Sequence, residues 1–356
     1  MRVIVGRPSR IAVVGATSLA GKELSEALGE SPLDSSDVVL LDAEDAAGQV
    51  TTAGDEVTFI QKIDEDSFAG VDFVFFAGDA ETTRKYWKPA RLAGASIIDM
   101  TYALEGEPGV MVRGPWVSAT AVLGAGEVHP GTQGPDLATP AVVAAHPVAM
   151  MLLLVASRLH AKRPVRAISA TVFEPASEHG RAAMDELHQQ TVSLLSFQSL
   201  PREQYDAQVA FNLLPSLGNA AKVKLAATGD RIADHYAMLS SEAAPELNLQ
   251  LIQAPVFHGY VASVLVELQG TASKEQIEAA VYGEHVDVVG AESDPPSNLS
   301  AAGQPDILVR VSSASARGSS SRFWLWMAAD NLKLAALNAI ACASELGRLR
   351  PQGKVQ

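Results

Sequence analysis

The chain has 356 residues, of which 47% are hydrophobic and 19% are charged; its formal net charge is −14 and its pI is about 5.0. This length and composition are typical of a folded chain with one large or two ordinary domains. A chain this acidic lacks the clustered Lys and Arg that bind a phosphate backbone, which argues against a nucleic-acid partner.

The chain contains a single cysteine, Cys342, and therefore cannot form an internal disulfide. This fits a reducing cytoplasm, which is the predicted location. The first eight residues have no apolar stretch of the kind that a secretory signal needs. The most apolar window, residues 141–156, is interrupted by His146 and Pro147. We expect a buried strand, a turn and a core helix there and no membrane span.

The first part of the chain alternates short apolar runs with amphipathic segments. Such runs predict buried strands, and the amphipathic spacing predicts helices between them. Strands that alternate with helices indicate right-handed βαβ units and a parallel sheet. We therefore predict an α/β fold that begins with a Rossmann-type parallel-sheet domain. The predicted strands are 11–14, 38–41, 71–76 and 95–99, and the predicted helices are 20–29 and 82–93.

After about residue 144 the predicted strands become longer. Several of them alternate polar and apolar residues, as in a sheet with one face exposed or packed on a partner. This pattern favours an α+β second domain. The serine-rich segment 312–322 joins two of these strands and is predicted to be a flexible hairpin loop. The predicted strands are 167–173, 247–253, 260–267, 307–311 and 323–327.

A glycine loop, Gly15-Ala-Thr-Ser18-Leu-Ala-Gly21, follows the first predicted strand. Its place between a strand and a helix is typical of a dinucleotide loop, whose amides bind a pyrophosphate. Ser18 replaces the middle glycine. Its Cβ would crowd a phosphate, whereas its hydroxyl could cap the helix or hydrogen-bond to a phosphate oxygen. Asp42 ends the second predicted strand and could accept hydrogen bonds from a ribose, or could simply end that strand.

Four segments, in this order and at these spacings, resemble the aspartate-semialdehyde dehydrogenase family. The resemblance covers about residue 10 to about residue 347, and the third segment is most similar to the Usg-type paralogues. It implies a dinucleotide-binding domain, here 1–143 with 328–356, and an α+β domain, here 144–327, whose sheet forms a homodimer. The segments are Arg10-Ile-Ala-Val-Val-Gly-Ala-Thr-Ser-Leu-Ala-Gly21, Val209-Ala-Phe-Asn-Leu-Leu-Pro215, Ala254-Pro-Val-Phe-His-Gly-Tyr260 and Trp324-Leu-Trp-Met-Ala-Ala-Asp-Asn-Leu-Lys-Leu-Ala-Ala-Leu-Asn-Ala339.

The resemblance also implies which residues contact a cofactor. The segment Ala43-Glu-Asp-Ala-Ala-Gly48 takes the place of a family segment in which an Arg would meet a 2′-phosphate. Asp45 stands at that Arg position. Because the acidic residues there would repel the phosphate, NAD is the possible cofactor and NADP is disfavoured. The predicted cofactor contacts are Gly15, Thr17, Ser18, Leu19, Gly21, Asp42 and Asn331.

Three positions that the family needs for its chemistry carry different residues here. The catalytic cysteine matches Ala149, the catalytic base matches Tyr260, and the arginine for the substrate carboxylate matches Gln253. Alanine cannot be a nucleophile, and a tyrosine with an ordinary pKa near 10 is a poor base at neutral pH. Loss of a nucleophile costs on the order of a millionfold in turnover. Cys342 lies midway along a predicted helix and is interpreted as a small buried apolar residue.

Other polar residues could form a residual pocket if the family fold is retained. Such a cluster could bind a metal or carry out different acid–base chemistry, although its spacing is not that of a metal motif and no metal is predicted. Alternatively, each histidine is exposed or hydrogen-bonded in place. The predicted pocket residues, which would lie near Tyr260, are His146, Glu174, Glu178, His179, His258 and Arg310.

These positions predict an aspartate-semialdehyde-dehydrogenase-like protein without the catalytic cysteine and histidine, that is, a non-catalytic paralogue. It would form a homodimer and could pair with the active paralogue of the family, which belongs to amino-acid biosynthesis from aspartate. One alternative is an NAD-dependent oxidoreductase that acts on another aldehyde or oxo group without a thiol. A second alternative is a hydrolase or metal-dependent enzyme that uses the histidine cluster.

Overall fold

The computed structural model describes residues 9–33, 37–53, 56–117, 134–240, 244–314 and 319–350. These residues group into two compact units. Within the described ranges, the first unit takes the chain up to residue 115, residues 134–145, and everything from 335 onward. The second unit takes residues 116–117 and 146–334, so that 328–334 group with it.

A seven-stranded parallel sheet forms the first unit. Its strands are β1 (Arg10–Val14), β2 (Asp37–Asp42), β5 (Gln61–Lys62), β6 (Phe73–Phe76), β7 (Ser96–Asp99), β8 (Met111–Arg113) and β9 (Val142–Ala144). Their spatial order is β5-β2-β1-β6-β7-β9-β8, and every neighbouring pair is parallel. A separate antiparallel hairpin joins β3 (Val50–Ala53) to β4 (Glu56–Phe59).

Apolar clusters cover both faces of this sheet, as short parallel strands require. Its helices are α1 (Leu19–Gly29), α2 (Ala80–Leu92) and the later part of α7 (Asn331–Gly347). One cluster includes Leu24 and Ile340, and the other includes Trp87. The chain leaves β1 towards β2 on one side and later returns to β6 on the other side. In such a sheet, ligands bind at the carboxyl ends of the strands beside this reversal. The Rossmann-type prediction is confirmed.

A six-stranded mixed sheet forms the second unit. Its strands are β10 (Val165–Glu174), β11 (Glu246–Gln253), β12 (Tyr260–Ala272), β13 (Val286–Val288), β14 (Ile307–Ser313) and β15 (Ser320–Ala329), in the spatial order β11-β10-β12-β15-β14-β13. The pairs β10–β11 and β13–β14 are parallel, and the others are antiparallel.

Helices pack against one face of the mixed sheet. These helices are α3 (Pro147–Lys162), α5 (Leu225–Leu239) and α6 (Lys274–Val281), and a further helix, α4 (Gly180–Leu195), follows β10. Residues on this face are buried, and the residues that alternate with them are half-buried or exposed. The alternation predicted from the sequence therefore corresponds to one covered face and one open face within this unit.

The strands predicted for the second domain are all present. β14 and β15 are antiparallel neighbours, as a hairpin requires, although residues 315–318 at its tip lie outside the described residues. The apolar window at 141–156 is confirmed as a buried strand, β9, followed by α3. Within the described ranges, every helix is too short or too polar to cross a bilayer.

Candidate functional site

The glycine loop between β1 and α1 is closely packed against neighbouring backbone. Gly15 has a φ of +83°, and a Cβ there would come within 2.2 Å of the Cα of Gly78. A Cβ on Gly21 would come within 2.2 Å of the carbonyl oxygen of Gly15. Both positions therefore require glycine, because the backbone of the loop, of α1 and of the segment after β6 meet there.

The hydroxyl of Ser18 caps α1. It accepts a hydrogen bond from the Gly21 N–H at 2.8 Å and donates one to the carbonyl oxygen of Ala77 at 2.7 Å. Of the two roles considered for this hydroxyl, capping is the one that the structure shows. The amides of Leu19 and Ala20 have no hydrogen-bond partner among the described residues. Two donors at this helix N-terminus thus remain for a phosphate, and the loop fits a pyrophosphate group.

Asp42 holds the glycine loop to the end of β2. Its Oδ2 accepts hydrogen bonds from the N–H and the hydroxyl of Thr17, both at 2.7 Å, and its Oδ1 accepts from the Ala43 N–H at 2.8 Å. The carboxylate of Asp42 therefore fixes the glycine loop as well as ending β2. A ribose hydroxyl would share it with Thr17, which a carboxylate with about four lone-pair sites can accommodate.

A second polar group lies within the second unit, where β10 and β11 end and β12 begins. Glu174 and Gln253 are the last residues of the two parallel strands and are paired in register. Tyr260 is the first residue of β12, and His146 is the N-cap of α3. The loop after β10 is held beside the segment before β12 by two backbone hydrogen bonds of 2.9 Å. Four elements thus bring these side chains together.

His146, Glu178 and Tyr260 form a largely buried trio. The Nδ1 of His146 accepts from the Val148 N–H at 3.2 Å, so the proton is on Nε2, which lies 3.3 Å from Glu178 Oε1. The hydroxyl of Tyr260 faces Glu178. Burial opposes ionisation of Glu178, but the neighbouring His146, the hydroxyl of Tyr260 and the charge of His179 hold its pKa at about 2. Glu178 is therefore a carboxylate at neutral pH.

Glu174 and His179 form an ion pair next to this trio. Glu174 is fully buried, and its Oε2 lies 3.0 Å from the Nε2 of His179. Burial disfavours the charged imidazole, but the charge and hydrogen bond of Glu174, with the charge of Glu178, raise the pKa of His179 above its ordinary value. The charged form of His179 is therefore favoured beside Glu174.

Asn331 is tied to the same part of the second unit. Its Oδ1 accepts hydrogen bonds from the hydroxyl of Ser177 at 3.1 Å and from the Gly259 N–H at 3.0 Å. The side chain is 1% exposed, and within the described ranges its Nδ2 has no acceptor. This predicted cofactor contact is thus a fixed amide with one free donor.

Two predicted pocket residues lie outside this group. Arg310 donates to the carbonyl oxygens of Gly290, at 2.7 Å, and of Ser293, so it fixes that loop. Among the described residues, no hydrogen bond joins the imidazole of His258 to the trio. Gly259 has a φ of +83°, which breaks the strand alternation that would place His258 on the same side as Tyr260.

His235, on α5, belongs to the group although sequence reasoning missed it. Its Nδ1 accepts a hydrogen bond from the backbone N–H of His146 at 2.9 Å, and the ring is 1% exposed. No spacing or motif links two histidines so far apart in the chain. In the part of the chain that the structure describes, no three His, Cys, Asp or Glu residues are placed to hold a metal ion.

The position that the family resemblance matches to a nucleophile and the chain's own thiol are both buried. Ala149 lies in the first turn of α3 and is fully buried. Cys342 is fully buried in the core of the first unit, where its Sγ lies 3.6 Å from the carbonyl oxygen of Arg113. Burial raises the pKa of the Cys342 thiol well above its ordinary value. The interpretation of Cys342 as a core residue is confirmed, and it cannot supply a thiolate.

The first unit is a parallel sheet whose glycine loop fits a pyrophosphate group. The second unit is a mixed sheet with one open face. Together they define a two-domain, dehydrogenase-type architecture. Family models agree with both parts. Residues 10–133 match a semialdehyde dehydrogenase NAD-binding domain, and residues 157–334 match a semialdehyde dehydrogenase dimerisation domain. The chain belongs to the semialdehyde dehydrogenase family.

Individual relatives match over nearly the whole length. A USG-1 protein homolog of Pseudomonas aeruginosa is 32% identical over 94% of this chain and 97% of its own. A structure of a probable aspartate-semialdehyde dehydrogenase from Pseudomonas aeruginosa is 30% identical, with a TM-score of 0.80 over 96% of this chain and 99% of its own. Aspartate semialdehyde dehydrogenase II from Vibrio cholerae, complexed with ASA, has the same fold at 23% identity, a TM-score of 0.80 and the same coverages.

Proposed function

We propose that this protein is a non-catalytic member of the family that binds NAD but does not oxidise a semialdehyde through a thioester. The observation that carries the proposal is the buried trio His146, Glu178 and Tyr260, which occupies positions matching the family's catalytic motifs. Tyr260 is fully buried with its hydroxyl on Glu178, an arrangement suited to holding β12 against the loop after β10. The test is a dehydrogenase assay with aspartate semialdehyde, in which no product should form.

The alternative function is that of an NAD-dependent oxidoreductase that works without a thiol. Such an enzyme needs a group that can exchange a proton with a carbonyl substrate. Tyr260 is the residue available at the family's base position, but it is fully buried and hydrogen-bonded to an ionised carboxylate. NADH consumption with a panel of aldehydes and ketones tests this function directly. A substrate-dependent rate that Tyr260→Phe abolishes would favour it over the non-catalytic proposal.

The preference for NAD over NADP is supported by the acidic turn after β2. Glu44 and Asp45 are both exposed, and Lys62 pairs with Glu44 at 3.0 Å. The carboxylate of Asp45 has no hydrogen bond or ion pair among the described residues. This exposed acidic side chain stands at the position where family resemblance places an Arg for a 2′-phosphate, and would repel that phosphate.

We expect NAD to bind about tenfold more tightly than NADP, because one or two unit charges some 6 Å from the phosphate cost roughly 1 kcal/mol in water. Asp45→Arg should remove or reverse this difference. Asp45→Asn is the matched control, since it removes the repulsion without adding a cation. It should only reduce the difference in affinity between NAD and NADP. Isothermal titration at low and high salt measures all three proteins, and wild-type binding of both nucleotides with equal affinity would contradict the assignment.

A homodimer through the open face of the mixed sheet is proposed from the dimerisation-domain match and from the residues on that face. Trp324 and Trp326 lie there with 43% and 37% of their surfaces exposed, and Phe173 packs against Trp326 at 6.4 Å between ring centroids. Large aromatic side chains exposed side by side are typical of interfaces. An active paralogue could pair through the same face. The single buried cysteine supports a cytoplasmic location.

Trp324→Glu is expected to convert the dimer to a monomer, because it places a charge at the centre of an apolar contact. Sedimentation equilibrium at micromolar concentration measures the change. Leu92→Glu is the control, since Leu92 is 88% exposed on α2 in the first unit and should leave the dimer intact. A Trp324→Glu protein that stays dimeric, or a wild-type monomer, would rule out this interface. Mixing with a tagged active relative tests hetero-pairing separately.

A further inference from the structure

Two buried oxygen atoms at the ends of β10 and β11 lack hydrogen-bond donors. Glu174 and Gln253 are both fully buried and lie opposite each other in register, so their side chains project from the same face of the sheet. Among the described residues, the Oε1 of Glu174 and the Oε1 of Gln253 have no partner. Buried acceptors are rarely left without a donor, so these two atoms call for a group that supplies one.

The orientation of the Gln253 amide is set by its surroundings. Its Nε2 donates to the carbonyl oxygen of Glu174 at 3.1 Å and to that of Ala254 at 3.3 Å. A flipped amide would set its oxygen against these two carbonyl oxygens. Oε1 is therefore the atom that stays free, and Gln253 presents this acceptor at the residue paired in register with Glu174.

The imidazoles in this part of the unit already face other carboxylate oxygens. The Nε2 of His179 lies 3.0 Å from the Oε2 of Glu174, and the Nε2 of His146 lies 3.3 Å from the Oε1 of Glu178. Among the described residues, neither imidazole donates to the Oε1 of Glu174, which has no donor. A cationic donor would give this carboxylate oxygen a charge-assisted hydrogen bond.

We propose that Glu174 and Gln253 bind the protonated amine of a small molecule that carries no carboxylate. The inference rests on the proposed function, in which this pocket no longer serves the family's chemistry. The family position matched by Gln253 carries an arginine for a substrate carboxylate. Here a shorter, neutral side chain presents an oxygen, and a carboxylate would face the acidic side chain of Glu174, whose Oε2 already lies against His179. These positions are therefore expected to select a cationic group, where the family's arginine selects an anionic one.

Ligand-observed NMR titration of the full-length protein with ethylammonium chloride tests the proposal, because this probe is the amine alone. An amine with so few heavy atoms is limited to roughly millimolar affinity. Sodium propionate, its matched anion, should not bind, and β-alanine, which carries both groups, should bind at least tenfold more weakly than ethylammonium. Glu174→Gln should weaken ethylammonium binding at least tenfold, since it removes a charge-assisted hydrogen bond. Glu246→Gln, at the exposed start of β11, should leave the affinity unchanged.

Gln253→Leu is the second variant, in case Glu174→Gln does not fold by circular dichroism, and it should also lose binding. Three results would overturn the proposal: no ethylammonium binding at concentrations far above the millimolar range, binding that both variants retain, or equal binding of propionate. A crystal structure that shows only a water between the two Oε1 atoms after an amine soak would overturn it as well. None of these outcomes depends on dehydrogenase turnover, so a protein that oxidises a semialdehyde would refute the proposed function separately.

Discussion

Purified protein supplied with aspartate semialdehyde, phosphate and NAD or NADP is expected to form no acyl phosphate above the protein-free rate. The expected turnover is on the order of a millionfold below that of an active enzyme if, as proposed from the family resemblance, the position of the attacking sulfur is occupied by Ala149. Cys342 cannot compensate, since it is fully buried in the other unit with a raised thiol pKa. The Vibrio cholerae enzyme is the positive control, with reduced nucleotide followed by absorbance at 340 nm, the usual assay.

A thiol at position 149 should not restore the reaction. Ala149→Cys supplies the sulfur, but in the proposed match the family's general base is replaced by Tyr260, whose hydroxyl faces Glu178. A missing base alone costs about 10² to 10⁴ in rate, and Gln253 no longer offers a cation to the substrate carboxylate. The variant is expected to stay at least about a hundredfold below the positive control. Wild-type turnover at an ordinary enzymatic rate would refute the non-catalytic proposal outright.

The parallel strands were predictable because each is a short apolar run that is buried on both faces. β1, β2, β6 and β7 all show this, and their sequence signal does not depend on any partner. The helix α4 was not predicted from the pattern. Its buried positions include Glu186 and Gln190, which bond to backbone groups of the segment 201–210, so its buried side is only partly marked by apolar residues.

The site was predictable only as far as family resemblance places residues on known elements. Such placement brought His146, Glu178 and Tyr260 together, and the structure adds how they bond. It also placed His258 in the group, but no hydrogen bond joins its imidazole to the trio among the described residues, and Gly259 between His258 and Tyr260 has a positive φ. It could not include His235, whose contact with the backbone of His146 depends on how α5 packs beside α3. Tertiary contacts of this kind leave no local sequence signal.

The stabilising role of Glu178 gives a second large effect, which depends on pH. In the folded protein its pKa is about 2, against 4.5 for an ordinary glutamate. A difference of that size corresponds to about 3 kcal/mol of folding free energy in the ionised state. Glu178→Gln is therefore expected to lower the free energy of unfolding by about 2 to 3 kcal/mol between pH 5 and 6, measured by urea denaturation.

The sign of the pH dependence follows from the lowered pKa. The contribution of Glu178 is complete above its unfolded pKa of 4.5 and is lost as the pH falls towards 2, so the difference between wild type and Glu178→Gln should close over that range. His179 acts in the opposite direction, because its raised pKa stabilises the fold below about pH 6.5 and this contribution is lost as the pH rises through the raised value. Glu26→Gln, an exposed change on α1, should match wild type throughout. A Glu178→Gln protein with a constant deficit down to pH 3 would show that the buried carboxylate contributes through shape and not through its charge.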